Sequence, residues 1–537
     1  MLFATFILAG SLVLTVRGQT VNGARQVVNV GLPAIDEGVI SDEPHTPGSS
    51  AAEKRARLAA ALDQDRTGRS GLRFTPGRVI VKFKDQTEMQ GRLDAVRSAS
   101  PSGQITPRPS HADFDIVRID LVEDAEAVAR TLSVQPGVEY AQVAHRMHAL
   151  FVPNDPLYPM QWNLPLINME KAWDIQPQAG SSITVAVVDT GMAYKDATIT
   201  GTVMAFKDDA GTPYPALGRV TIPYSAAPQL VTGQSSRIVS PHDFIWGDDS
   251  PLDFEGHGTH VSGTIGQLTN DGIGTAGVAF NVKLMPVKVL ASEWDVLLGA
   301  ASAQGGTEDQ VARGIRYAAD NGAKIINMSL GSSGPPNCGS TPTNPDCSPV
   351  IEAAMRYAVG KGCFIVVAGG NEFEQTLPLF GKNPTSVIAE IASRIKGAIS
   401  VAAVDPSKNH AYYSSTGSYI EIAAPGGSER GFGRFGYVRQ QTFDFNFTDT
   451  FLLPPSQYVA PRFDIFGYIG YIGTSMATPH VAGVAAMLMQ QGVTDPAAIE
   501  ELLERTAVDL GSPGRDDTFG FGLVDARAAL RGLGLAK

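Results

Sequence analysis

The chain is poor in cysteine, with three in 537 residues. Three thiols cannot knit a disulfide scaffold. Charge is also sparse, at 18% of residues, and its balance is negative, with a formal net charge of −12. This excludes a general nucleic-acid binder with a basic face and leaves only a local patch open. Beyond the N-terminus no apolar run is long enough to span a bilayer. No internal repeat is found, and 57 Gly and 35 Pro follow no collagen-like period. What the chain does have is 43% hydrophobic residues and length for two or more domains. Wholesale disorder is thereby excluded.

Leu2 to Leu14 form an apolar run of signal-peptide length, followed by Val16-Arg17-Gly18 ahead of Gln19. A basic segment before the run is missing. Residues 1–18 are read as a signal peptide, and 19–70, which lack sustained periodicity, as a disordered linker. In an exported protein the spacing of Cys338 and Cys347 suits a small disulfide-closed loop, whereas Cys363 leads an apolar run and reads as a buried hydrophobe.

Two patterns of periodicity divide the rest. Arg78–Phe83, Phe114–Ile119 and Val138–Val143 read as strands, with helices over 88–98 and around Ala125, Val128, Ala129 and Leu132. They make a small α+β unit, 71–150, ending before Pro153-Asn154-Asp155-Pro156. From 151 to 537 the strands become continuous apolar runs: Ile183–Val188, Lys324–Leu330, Phe364–Val367 and Ala398–Val404. Such runs suit strands buried on both faces of a parallel sheet, and helical stretches such as 309–320 and 350–360 lie between them.

Three motifs carry chemistry. Val185-Ala186-Val187-Val188-Asp189-Thr190-Gly191 sets a carboxylate at the carboxyl end of a buried strand, where open α/β sheets place ligands. Alone, Asp189 would read as a strand-end acceptor of local hydrogen bonds. Gly256-His257-Gly258-Thr259-His260 has two histidines one helical turn apart but lacks the Glu of a zinc-peptidase motif. His257 is therefore expected to be reachable at a helix start, and His260 to be packed and hydrogen-bonded. Gly473-Thr474-Ser475-Met476-Ala477-Thr478-Pro479-His480 opens an apolar helix, and Pro479 fits only near its beginning. There Ser475 is either a cap or a nucleophile beside free N–H groups. A serine needs a base, and the base an anion, and the chain supplies all three.

On these motifs the chain resembles the subtilisin-like serine peptidases from about Asp155 to Leu530. The resemblance implies a three-layer α/β domain with a mostly parallel sheet, preceded by a small α+β inhibitory propeptide. It assigns Asp189 as orienting carboxylate, His257 as general base and Ser475 as nucleophile. Asn371, in Ala368-Gly369-Gly370-Asn371, becomes the oxyanion donor. Ser329, Leu330 and Gly331 would pair with an extended substrate, and Ala368, Gly369 and Gly370 would wall its pocket. Glu372, beside Asn371, would favour a basic side chain there. No cofactor is required for the chemistry. A structural calcium ion is the one offered, at Leu268, Asn270, Ile273 and Thr275. Asp243, Asp248, Asp249 and Asp253 read as a solvated acidic loop.

The implied activity is that of a secreted endopeptidase, made as a zymogen that cleaves itself within 145–154. Its partners would be protein or peptide substrates and its own propeptide, with no nucleic acid, and no membrane once the signal is removed. A narrow-cleft exopeptidase and a catalytically silent binding protein keep the same fold. The segment 427–472 is longer than the family needs and contains the sequon Asn446-Phe447-Thr448; it either walls the cleft or packs on the surface. The stretch 201–240 is also long, with no assignable chemistry. The chain ends soon after Gly520–Ala526, which resembles the family's closing segment, so no further C-terminal domain is expected.

Overall fold

The computed structural model describes residues 74–145, 151–208, 210–231, 235–300, 303–334, 347–377 and 380–531. The signal, linker and Cys338 lie outside the described residues, as does half of the expected self-cleavage segment, 146–150. The chain divides into two compact units, Met1–Ala149 and Leu150–Lys537.

In the first unit, strands β1 (Phe74–Phe83), β2 (Gln104–Ile105), β3 (Asp115–Arg118) and β4 (Val138–His145) form an antiparallel sheet in the order β2-β3-β1-β4. Helices α1 (Met89–Ala99) and α2 (Ala125–Ser133) accompany it. Asp124 caps α2 by accepting from Glu126 N and Ala127 N, which satisfies two of its free N–H groups. Val128, Ala129 and Leu132 of α2 join Val79, Val81 and Val117 of the alternating strands in one core.

The second unit is built on seven parallel strands. In chain order they are β5 (Thr184–Asp189), β8 (His242–Asp243), β9 (Lys283–Lys288), β10 (Ile325–Met328), β11 (Phe364–Ala368), β12 (Ala398–Val404) and β13 (Ile422–Pro425), and in the sheet they run β8-β9-β5-β10-β11-β12-β13. Between β5 and β8, an antiparallel pair branches off, β6 (Ala197–Val203) with β7 (Gly218–Tyr224). The inner strands are buried nearly throughout, which is why they read as unbroken apolar runs. Lys and Pro interrupt β9, so it left no such trace in the sequence.

Helix α3 (His257–Gly266) is followed by α4 (Glu293–Leu297), α5 (Glu308–Asp320), α6 (Pro349–Gly360) and α7 (Thr474–Gln490). Helices α3 and α7 pack on each other and on the sheet, and α5 and α6 form a second such pair. The architecture is the three-layer α/β arrangement. The sheet places β5 between β9 and β10, so Asp189 ends the strand at which the order reverses. The crevice at such a point is where open sheets bind ligands.

The two long stretches interlock. Strands β14 (Val438–Phe443) and β15 (Phe466–Tyr471) form a hairpin whose connection reaches the β6–β7 pair. There Ser225 N donates to Phe463 O and Phe463 N to Pro223 O, each at 3.0 Å. Tyr458 stacks with Trp294 and meets Phe206 and Tyr214 edge-on. Trp294 is 1% exposed and donates its indole N–H to Thr448 O. Replacing it with Ala should cost ~3–5 kcal/mol by removing that buried ring. Urea unfolding, measured in a Ser475→Ala background to prevent self-digestion, checks this.

Candidate active site

His257 opens α3 and its ring Nδ1 lies 2.7 Å from Asp189 Oδ1. That oxygen also accepts from Thr190 N at 2.7 Å, while the buried Oδ2 has no hydrogen-bond partner among the described residues. The carboxylate is fully buried and the imidazole largely so. Burial works against charging the imidazole, but the Asp189 charge and hydrogen bond outweigh it, with Glu255 and Asp253 adding, and its pKa is raised. The first turn of α3 approaches β5 closely. A Cβ at Gly258 would lie 2.2 Å from Gly191 O, so only glycine fits there.

His260 turns the other way. Its ring stacks on Tyr471 at 4.6 Å and its Nε2 lies 3.2 Å from Ile469 O. Burial, reinforced by the charge of His257, pushes its pKa down to about 3, so the ring is neutral. The two histidines therefore do not share a ligand position. The hairpin that meets His260 also donates Thr442 Oγ1 to Gly256 O at 2.6 Å, just before His257. The 427–472 segment thus braces the imidazole-bearing helix from behind.

Ser475 lies in the first turn of α7. Pro479 sits inside this helix and removes the N–H that would reach Ser475 O. Ser329 Oγ donates to that carbonyl instead, at 2.8 Å. Pro479 thus stands deeper in the helix than expected, and a side chain from beyond β10 repairs the lost bond. Ser475 Oγ itself lies 3.2 Å from Ser329 O. Among the described residues it makes no hydrogen bond to His257.

Asn371 follows β11, and its Oδ1 accepts from Thr474 N and Thr474 Oγ1, both at 2.9 Å. This fixes the amide with its Nδ2 free to donate. A Cβ at Gly473 would lie 3.5 Å from Asn371 Nδ2 and 3.6 Å from Ser475 N. Gly473, with φ of 152°, keeps the space beside these two donors open.

The adjoining cavity is lined by Leu330, Gly331, Ala368, Gly370, Asn371 and Ser475, and also by Ser332, Glu372, Ser386 and Thr474. Ser329 and Gly369 do not line it. Ser329 buttresses α7, and Gly369 N donates to Val401 O in the sheet, where a side chain would collide with Ile420. Ser332 and Ser386 carried no motif that sequence reasoning could find. Glu372 Oε2 accepts from Asn371 N at 2.7 Å and from Ser415 Oγ at 3.2 Å, so this carboxylate braces the asparagine peptide.

In the loop offered for calcium, the side-chain oxygens are already bonded within the protein. Asn270 Oδ1 accepts from Asn154 N, and Thr275 Oγ1 is held between the Gln267 and Gln440 amides. Asp155 accepts from Asn270 N, and Asp271 Oδ1 from Ile273 N. Leu268 and Ile273 would offer only backbone carbonyls. Asn, carboxylate and backbone carbonyl oxygens are nevertheless the ligand types that calcium takes.

Comparison with known proteins places these features in context. The family profile described as "Subtilase family" matches residues 180–522. A second, "Fervidolysin N-terminal prodomain", matches residues 60–143. The thermophilic serine proteinase of Bacillus sp. strain AK1 is 28% identical over 442 residues, which is 82% of this chain and 84% of the relative. The extracellular protease of Xanthomonas campestris pv. campestris is 32% identical over 433 residues, 78% of this chain and 63% of that longer protein. The crystal structure of fervidolysin from Fervidobacterium pennivorans, described as a keratinolytic enzyme related to subtilisin, aligns at a TM-score of 0.49 and 23% identity. That alignment covers 86% of this chain and 61% of that one.

Proposed function

Because the chain belongs to the subtilase family of serine peptidases and carries an N-terminal prodomain, we propose that it is a secreted endopeptidase acting through an acyl-enzyme. The observation that carries the mechanism is the 2.7 Å contact of His257 with a buried carboxylate, in the same unit as a serine at a helix mouth. Ser475 Oγ attacks the substrate carbonyl as His257 Nε2 takes its proton. Asp189 fixes the ring so that Nδ1 keeps its hydrogen, and it stabilises the imidazolium that forms. Asn371 Nδ2 and Ser475 N donate to the oxyanion. His257 then protonates the departing amine, and a water, activated by the same imidazole, releases the acyl group. For this the hydroxyl must give up its bond to Ser329 O, and such catalytic contacts are often long without substrate.

The Xanthomonas relative is named an extracellular protease, which supports export. The prodomain match supports a zymogen that Ser475 converts by cutting within 145–154. Casein turnover together with labelling by a fluorophosphonate tests the reading. Labelling without casein cleavage would favour the exopeptidase, and neither signal the binding protein. Asn371→Ala should lower kcat by about 10²–10³-fold with KM little changed, because its amide serves an oxyanion that exists only after attack. Steady-state kinetics on a peptide substrate check the split.

A further inference from the structure

Lys288 ends β9 and pairs in register with Asp189 on β5. It is fully buried, an unusual place for an ammonium. Its Nζ donates to Thr190 O at 2.6 Å and Asp295 Oδ2 at 2.8 Å, and lies 5.5 Å from the Phe254 ring centroid. Asp243 on β8, Asp253 before α3 and Asp295 on α4 are all buried and face it. Burial opposes its charge, yet these carboxylates outweigh burial and hold Lys288 protonated.

The contact with Thr190 joins this cluster to the site. Thr190 N donates to Asp189 Oδ1. Thr190 Oγ1 donates to Asp253 Oδ1 and accepts from Gly258 N, beside His257. Asp253 also accepts from Gly256 N and from Thr259 N and Oγ1 in the first turn of α3. Every polar group of Thr190 is therefore engaged. Without the ammonium, its carbonyl would be orphaned and three buried carboxylates would face one another.

We propose that Lys288 is a positioning residue for the Asp189–His257 pair, clamping Thr190 and offsetting the buried negative charge behind the carboxylate. The proposal rests on the peptidase reading above. The charged groups facing His257 are Asp189, Asp253 and Glu255, with His260 one turn on. Removing the cation leaves a more negative field, which favours the imidazolium. Removing an anion from the cluster does the reverse.

The test is the pH dependence of kcat/KM for the mature enzyme on an uncharged peptide. Lys288→Met should move the acid limb to higher pH, by roughly one pH unit. It should also cut kcat by about ten- to a hundredfold through the loosened pair. Asp295→Asn should move the limb to lower pH, and Lys288→Arg should keep the wild-type limb. Limbs coincident with wild type, or shifts of one sign in Lys288→Met and Asp295→Asn, would overturn the role. If Lys288→Met does not fold, Asp295→Asn decides alone, and an unmoved limb overturns it. A wild-type enzyme that fails to take the fluorophosphonate would instead sink the peptidase reading, and this role with it.

Discussion

Ser475→Ala is expected to abolish proteolysis while leaving the fold intact. Among the described residues the hydroxyl makes one hydrogen bond, of 3.2 Å to Ser329 O, so little of the packing depends on it. The chemistry, by contrast, has no substitute for the nucleophile. A fall in kcat on the order of a million-fold is expected, the scale known for subtilisin itself. The same variant should accumulate as an uncut precursor. N-terminal sequencing after expression in a protease-free host reads this directly. Normal maturation of the mutant would show that the chain does not process itself.

Asp189→Asn should lower kcat by about 10⁴-fold. Asp189 Oδ1 accepts from both Thr190 N and His257 Nδ1, and Oδ2 is buried without a partner among the described residues. An amide in this place either leaves a buried N–H₂ unpaired or turns a donor toward the imidazole, favouring the wrong tautomer. The charge that holds the imidazolium is lost in both cases. With burial then unopposed by Asp189, the His257 pKa falls. The residual activity should therefore show its acid limb at lower pH than wild type, which a pH series of kcat/KM measures.

The inner strands were legible because a strand covered on both faces must be apolar at every position, as β5, β11 and β12 are. Helix α5 was legible through Val311, Ala312, Ile315, Ala318 and Ala319, which fall on one face and are buried. The pairing of Asp189 with His257 followed from motifs that each place a functional group at the end of an element. Other features depend on contacts far apart in the chain. Asp243 and Asp253 read as solvated loop residues, yet both are buried; the donors that satisfy Asp253 come from Thr190, Gly256 and Thr259. Their acidity pointed outward, but these donors, those of Ile245 N and Trp246 N to Asp243, and the Lys288 ammonium hold them inside. Ser329 and Gly369 belong to recognisable segments, but each turns into the structure, since a segment's motif does not fix which of its residues faces the cavity. The 427–472 segment gave no periodic signal because its two strands are separated by a long irregular connection and brace a helix some two hundred positions away.

The union of the β6–β7 pair with the β14–β15 connection bears on how such an enzyme survives its own company. Concentrated peptidases digest one another, and long surface insertions are the natural points of attack. Cleavage requires a segment to leave its partners and lie extended in another molecule's cleft, so it tracks local opening. Here Phe463 spends both its N–H and its carbonyl on the 223–225 strand end, and Tyr458 and Trp294 hold the connection by their rings. Each stretch is thereby expected to slow the opening, and so the autolysis, of the other.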